Sequence, residues 1–449
     1  MGNQLQTQPS ARRTALEVLL RMEKADGFSN LTLDAGLRRS RLPRLDADFA
    51  TALVYGVLEH RVTIDYFLDC FTARHGRMKP AVRNILRLGA CQLLFMDKIP
   101  PGAAVDESVA LARQAGCGWA SGFVNAVLRA MARRADDLPW PDRAADAIRW
   151  LSVRYACPEW LVRLWRDAYG ADEIEPLLAA MQERAPAAAR VNTLRTTAPE
   201  LCVTLREQGV EARVSDRLPG AVELAGTSEL RRLPAFEAGL FYMQDYASQL
   251  CCRAVDPQPG ETVLDMCAAP GGKSFTMALM MQGRGLVRAL ELHPQRVELI
   301  AEGARRLGLA NLRAQANDSA RPCDDLGLAD RVLCDVPCSG LGVIRRKPEI
   351  RFKRPETFDY LPDLQYSILY EGSRHVRPGG ILVYSTCTLN PAENDAVIRR
   401  FLDENPDFGG DALPEPIPRA RPAGGCSVTL FPHRDGTDGF FIARMTRKG

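Results

Sequence analysis

The stretch at residues 261–274, Glu-Thr-Val-Leu-Asp-Met-Cys-Ala-Ala-Pro-Gly-Gly-Lys-Ser, constrains the fold of this chain more than any other. A short β-type run at 263–264 leads to an acidic residue, Asp265, then to a tight loop of small residues, and from Ser274 onward the pattern is helical. A strand, a Gly-rich turn and a helix start, in that order, form the ligand-facing corner of a doubly wound sheet. Gly271 and Gly272 can adopt positive φ and admit a bound molecule close to the backbone, while the free N–H groups of the helix N-terminus attract negative charge. The loop lacks the upstream Gly of a Walker phosphate loop and the spacing of G-x-G-x-x-G. By itself it fits a nucleotide-type ligand and a purely structural turn about equally well.

The rhythm around this loop supports the sheet. From about residue 241, strand-like segments at 262–264, 286–290, 312–315, 331–334 and 381–384 alternate with helical stretches such as 294–307. Such alternation predicts a mostly parallel sheet covered on both faces. Two last segments, 427–430 and 440–445, suit an antiparallel pair at the sheet edge.

At 449 residues the chain is too long for one ordinary domain, and two to four are expected. Residues 1–10 are polar and read as a disordered leader. Residues 11–134 are helical throughout, with apolar faces at Leu16, Val18, Leu19 and Met22 and at Val82, Ile85, Leu86, Ala90, Leu93 and Leu94. Turn signals at Gly27-Phe28, Pro43, Gly76 and Pro100-Pro101-Gly102 divide them, and a later helix is expected to open at Asp106 and close at Gly116. An all-α bundle over 11–140 follows, with a Pro-rich linker at 135–150. Residues 150–240 read as a small α+β unit, with a strand at 190–195, a helix near 199–208 and a second strand at 210–214. Residues 241–449 form the Rossmann-like domain.

Composition removes several function classes. With 46% hydrophobic and 25% charged residues the chain is globular, no apolar run reaches eighteen residues, and the N-terminus lacks the apolar region of a signal peptide. A soluble, cytoplasmic protein without membrane contact is expected. The thirteen cysteines include no C-x-x-C pair and no Cys/His cluster at zinc spacing, so reduced thiols and no metal are expected, with Cys70, Cys91 and Cys202 as core fillers. Net charge is only +3, but residues 1–140 carry +5 and the remainder −2. The basic end hints at a polyanion, with Arg12, Arg13, Arg38, Arg39, Arg41, Arg44, Arg83 and Arg87 as phosphate contacts, although a solvated helical surface reads the same way.

In such a sheet, strand ends deliver side chains to one crevice. The second strand ends in Glu291-Leu-His293, the third in Asn317-Asp318, and the fourth in Asp335-Val-Pro-Cys338-Ser-Gly; a further strand ends in Tyr384-Ser-Thr-Cys387-Thr. An acidic residue after the second strand is placed for ribose hydroxyls, so Glu291 argues for a nucleoside-containing cofactor, and S-adenosylmethionine needs no additional phosphate-binding glycine. Either cysteine alone reads as filler; two of them converging beside Asp335 do not. A thiolate has a definite use here. Carbon 5 of a pyrimidine takes a methyl group poorly until a thiolate adds at carbon 6, and for cytosine that addition needs a donor at N3 and later a base for the carbon 5 proton.

These motifs resemble the Sun/Fmu family of RNA cytosine-5 methyltransferases: Asp265-Met-Cys-Ala-Ala-Pro-Gly-Gly-Lys273, Asp335-Val-Pro-Cys-Ser-Gly340 and Tyr384-Ser-Thr-Cys-Thr388. Further matches are Gln244-Asp245, Arg345-Arg-Lys-Pro-Glu-Ile-Arg351, Pro378-Gly-Gly and Asp435-Gly-Thr-Asp-Gly-Phe-Phe441. Ala11-Arg-Arg-Thr-Ala-Leu-Glu-Val-Leu19 and Ser121-Gly-Phe-Val-Asn-Ala-Val-Leu-Arg129 are similar to the NusB-like RNA-binding domain, which points to the small-subunit methyltransferase B branch over nearly the whole chain.

The resemblance implies methylation of carbon 5 of a cytosine in 16S ribosomal RNA by a monomer, with Cys387 as nucleophile and Cys338 assisting release of the product. Asp335 would hold the base at N3, protonated there, and Lys273 would contact the base or the loop. Cofactor contacts carry over to Cys267, Ala268, Ala269, Pro270, Gly271, Gly272, Lys273, Glu291, Asp318 and Asp335. Thr388 stands where Ser is usual and Asn317 where Gly is common, with no required group lost. The same chemistry on transfer RNA is the alternative substrate, and a non-catalytic RNA-binding or assembly factor is the alternative class, against which the retention of both cysteines argues. The segment 345–354, with six basic residues and one acidic, is expected to grip phosphate, with Phe352 stacking on a base. His293 and His433 are read as surface or structural residues.

Overall fold

The computed structural model describes residues 10–25, 29–72, 78–225, 230–418 and 425–449. Nearly all of the expected leader, and the turn signals at Gly27-Phe28 and Gly76, lie outside the described residues. The chain divides into two compact units, one of residues 1–182 with 347–353, the other of 183–346 with 354–449.

The first unit is helical: α1 (Ala11–Ala25), α2 (Ser29–Ser40), α3 (Arg44–Phe71), α4 (Pro80–Phe95), α5 (Pro101–Gln114), α6 (Ser121–Arg133), α7 (Ala147–Arg154), α8 (Glu159–Tyr169) and α9 (Ala171–Ala180). The expected apolar faces meet in one core, where Leu16, Leu19, Ile85 and Leu86 join Leu53, Val57, Val124 and Leu128. α5 opens at Pro101, five residues before the expected start, because a proline at the first helical position gives up no hydrogen bond and its φ is already helical. Helices α7–α9, read from sequence as the start of the α+β unit, cluster with the helices before them.

Not every arginine of this unit is a surface charge. Arg87 is buried and pairs with Glu23 at 2.6 Å and Asp65 at 2.7 Å, and Arg83 pairs with Asp65 and Asp69. These two brace α1, α3 and α4 and are not presented to phosphate. Cys70 is exposed on α3, whereas Cys91 and Cys202 are buried. The segment 347–353 also corrects its expected role. Arg351 is 2% exposed and donates to the Ala156 and Glu59 carbonyls, and the Phe352 ring packs on this core under the Arg61 guanidinium.

The second unit begins with a small antiparallel sheet of β1 (Ala187–Val191), β2 (Glu211–Val214), β3 (Ala221–Ala225) and β4 (Phe241–Met243), in the order β2-β3-β1-β4, with α10 (Ala198–Glu207) and α11 (Pro234–Glu237). A capping box, Thr197 with Glu200, starts α10. The strand expected at 190–195 ends at Val191, since buried Asn192 turns the chain and donates from Nδ2 to the Gly239 and Leu307 carbonyls, each at 2.8 Å.

The large sheet follows: α12 (Tyr246–Val255), β5 (Thr262–Asp265), α13 (Gly272–Met280), β6 (Leu286–Glu291), α14 (Pro294–Leu307), β7 (Leu312–Ala316), β8 (Ala329–Asp335), α15 (Leu361–Arg374), β9 (Val376–Thr386), α16 (Asp395–Glu404), β10 (Phe408–Gly410), β11 (Ser427–Leu430), α17 (Pro432–Asp435) and β12 (Phe440–Arg447). Strand order is β10-β12-β9-β8-β5-β6-β7, with β11 also on β12; β7, β6, β5, β8 and β9 run parallel and β12 is antiparallel to β9. The pair β11–β12 is antiparallel as expected, but β12 lies inside the sheet, hydrogen-bonded to β9 as well. Alternation along the strands fills both faces. Val263, Val287, Leu333 and Val383 pack toward α12–α14, and Leu264, Leu290, Val332 and Leu382 toward α15 and α16. The order reverses at β5, which has β6 on one side and β8 on the other, so a crevice opens at their carboxyl ends.

Candidate active site

The loop after β5 is shaped by sterics first. Gly271 has φ +108°, and a Cβ there would lie 2.4 Å from the Phe275 ring, so only glycine fits before α13 begins. Asp265 at the end of β5 is 1% exposed; Oδ2 accepts from Ser274 Oγ at 2.5 Å, while Oδ1 has no hydrogen-bond partner. Burial pushes its carboxyl up to about 7, against the pull of the Ser274 hydrogen bond. A buried acceptor left open at a glycine corner is what a ligand carrying donors would complete. Cys267 packs against the sheet core, and burial raises its thiol well above the ordinary range.

Glu291 closes β6, 4% exposed, and accepts from the His293 N–H and from Arg296; the same Arg296 donates to the Ala269 carbonyl, tying the second strand end to the loop. Asp318, after β7, is more open and pairs with Arg321 at 3.0 Å. The neighbouring Ser319 hydroxyl donates to the Met266 carbonyl at 2.5 Å. The loop, Glu291 and Asp318 thus line one strand-end rim, and a nucleoside with a zwitterionic tail fits this set of donors and acceptors.

On the other side of β5, the register of β8 and β9 sets the chemistry. Asp335 is paired with Ser385, whose hydroxyl donates to Oδ1 at 2.8 Å, and Lys273 Nζ donates to Oδ2 at 2.7 Å. Burial works against the Lys273 ammonium, but the Asp335 charge and hydrogen bond outweigh it and the net shift is upward. Lys273 also lies 5.3 Å from the centre of the Phe440 ring. Ser385 and Cys387 fall two residues apart, hence toward the same side. Cys387 Sγ lies 3.2 Å from Cys338 Sγ, with no disulfide joining them. The hydrogen bond to Cys387 and then burial raise the Cys338 thiol well above the ordinary range, so Cys338 keeps its proton.

The sequence-predicted residues lie at strand ends or, for Gly272 and Lys273, in the first turn of α13, with Lys273 and Asp335 in one contact, Cys338 and Cys387 in another, and Glu291 and Asp318 along the loop rim. Two residues in or just after the Tyr384–Thr388 motif were given no role from sequence. Ser385 could have been found from the period of two in its strand, and Glu393 is buried beneath both cysteine loops. Within the segment 345–354, three of the six basic residues are held by the fold: Arg345 and Arg346 both pair with buried Asp438, Arg346 also with Asp245, and Arg351 is buried on the helical unit. Gln244 accepts from Thr276 Oγ1 on α13 at 2.7 Å, and Asp245 caps α12.

A doubly wound sheet with a glycine corner at its switch point, joined to an α-helical unit and a ferredoxin-like sheet, defines an RNA methyltransferase by its matches to known families. Residues 252–446 match the model of the 16S rRNA methyltransferase RsmB/F family, residues 9–133 the NusB family, and residues 157–231 the ferredoxin-like domain of RsmF/B-like methyltransferases. The chain is 39% identical to the probable ribosomal RNA small subunit methyltransferase B of Bacillus subtilis (strain 168), over 98% of this chain and 99% of that one. It is 35% identical to the protein of the same description from Synechocystis sp., with the same coverage. The crystal structure of PH0851 superposes over 98% of this chain and 99% of that one, with TM-score 0.81 and 26% identity. The chain belongs to the 16S rRNA methyltransferase RsmB/F family.

Proposed function

We propose that this chain methylates carbon 5 of a cytosine in 16S ribosomal RNA, with S-adenosylmethionine as cofactor and a transient thioether on Cys387. The observation that carries this reading is the pair of thiols at 3.2 Å, just past the ends of β8 and β9 where Asp335 and Ser385 lie in register, because two adjacent thiols serve an addition–elimination on a pyrimidine and have no use in direct transfer to a nitrogen or oxygen. When bound along the loop at 267–273, Glu291 and Asp318, S-adenosylmethionine supplies a methyl carbon made electrophilic by its sulfonium.

The chain's own residues prepare the base. Cys387 thiolate forms a bond to carbon 6 while a proton held by the Asp335–Lys273 pair goes to N3; the ring stays neutral and its electron pair moves onto carbon 5. After a base removes the carbon 5 proton, N3 returns its proton to Asp335, the carbon 6–sulfur bond breaks, and the electron pair leaves with Cys387. Cys338, protonated and in contact with Cys387, donates to the departing sulfur. Glu291 holds ribose hydroxyls. The helical first unit, with its excess of positive charge, is assigned to RNA backbone contact, and the target nucleotide swings out of its stack to reach the crevice. Such a substrate assigns the enzyme to the cytoplasm.

Cys387→Ala and Cys338→Ala proteins, incubated with ribosomal RNA and labelled S-adenosylmethionine, test this reading. Cys387→Ala is expected to form no protein–RNA adduct and Cys338→Ala to accumulate one; an adduct in Cys387→Ala overturns the assignment, and wild type that labels no ribosomal RNA overturns the function.

A further inference from the structure

We propose that Glu393 is a positioning residue that holds the two cysteine loops at reacting distance, an inference that rests on the covalent-cysteine reading above. Its side chain is fully buried. Oε1 accepts from Ser339 Oγ at 2.6 Å and Asn390 Nδ2 at 3.0 Å; Oε2 accepts from the Ser339 N–H at 2.8 Å and Gln365 Nε2 at 2.9 Å. The Ser339 and Thr388 hydroxyls are 2.7 Å apart, and Tyr384 donates to the Glu393 carbonyl at 2.6 Å. Gln365 Nε2 also donates to the Pro337 carbonyl at 2.9 Å.

Ser339 follows Cys338, and Thr388 follows Cys387. One carboxylate therefore fastens the residue after each cysteine, and it does so without a counter-charge, since among the described residues no basic group lies within ion-pair distance of it. Leaving a buried carboxylate with no cation is costly unless several donors satisfy it. Only an acceptor-only group can take these four donors together with the Thr388 hydroxyl, which reaches Oε1 at 3.5 Å; an amide would turn its own N–H groups against Ser339 or Gln365. The placement serves the thiols, because small errors in reacting distance carry large rate losses.

The experiment has one arm that needs no catalysis. Full-length wild type, Glu393→Gln and Glu393→Ala, without RNA or cofactor, are treated with diamide. The two thiols give up two protons and two electrons, a Cys338–Cys387 bond forms, and the diazene becomes a hydrazine. Peptide mass mapping reads the rate of the 338–387 disulfide. Glu393→Gln is expected to form it at least tenfold more slowly than wild type, with a similar loss in kcat for methyl transfer and a KM for S-adenosylmethionine within twofold. Where Glu393→Ala does not fold, Ser339→Ala replaces it, removing one hydroxyl donor and slowing the disulfide about threefold. A wild-type disulfide rate in Glu393→Gln overturns the clamp. Slowed disulfide formation beside a Cys338→Ala protein that accumulates no RNA adduct keeps the clamp and overturns the covalent reading.

Discussion

Asp265→Asn is the substitution whose effect can be worked most directly from the structure. The carboxyl is buried at the end of β5, with one oxygen on Ser274 and the other unpartnered, and it titrates near 7 where an ordinary aspartate titrates at 3.8. The folded protein therefore binds this proton more tightly than the unfolded chain does. Between about pH 4 and pH 7 the unfolded state carries fewer protons, so stability is highest at the low end of that window and falls as pH rises through it. A shift of roughly three pH units corresponds to about 4 kcal/mol, the most that this one group can remove from the ligand-free protein. Asparagine cannot ionise, so Asp265→Asn abolishes that slope, whatever constant offset the amide adds.

The assay has to look at the right unit. All five tryptophans lie in the first unit, so indole fluorescence is blind to β5 and serves as the control that should not move. Native-state hydrogen exchange, read by mass spectrometry on peptides spanning β5 and β8, reports local opening in the second unit. Wild type and Asp265→Asn are compared at the same pH, so that intrinsic exchange cancels. The difference in opening free energy between the two is expected to change by up to about 4 kcal/mol from pH 4 to pH 8. Parallel profiles across that range would refute the reasoning, for they would mean that the carboxyl ionises without cost where it is.

Gly271→Ala combines a positive-φ penalty of about 1–2 kcal/mol with a contact into the Phe275 ring, so a loss of about 2–5 kcal/mol by the same exchange assay is expected, together with weakened S-adenosylmethionine binding by calorimetry. Arg351→Met strips a charged donor from the Ala156 carbonyl and is expected to lower the stability of the first unit by about 1.5–3 kcal/mol, read by tryptophan fluorescence in urea. The slope of log affinity for RNA against log salt is expected to stay at the wild-type value, whereas loss of a phosphate contact would reduce it by about 1.

The parts of the fold that could be read from sequence are those fixed by local periodicity. The parallel strands repeat at regular spacing because each is buried on both faces, and the glycine corner announces itself because no other residue tolerates its backbone. β3, β4 and β10 were not foreseen, since three to five residues hold too little pattern to stand out and their pairing is decided by partners far along the chain. Asn192 and Arg351 misled for a related reason. Both are polar residues whose partners are backbone carbonyls 47 to 292 residues distant, and carbonyls leave no mark in a sequence. Ser385 stands in the Tyr384–Thr388 motif and Glu393 just after it, yet a hydroxyl and a carboxylate that act on neighbouring loops carry no signature of their own.

The excursion of residues 347–353 has a consequence for synthesis. The chain passes between the two units at 182–183, 346–347 and 353–354, so the helical unit is completed by a piece encoded well after its other helices. At elongation rates of about 5–20 residues per second, the carbonyls and core that receive Arg351 and Phe352 wait roughly 8–30 s on the ribosome before those residues exist. Any nascent helical unit must persist through that interval with an open seam. A fragment beginning at residue 183 would carry Arg351 and Phe352 without the Ala156 carbonyl and the helical core that receive them, so cutting this chain between its halves parts the helical unit from its last piece instead of freeing a finished domain.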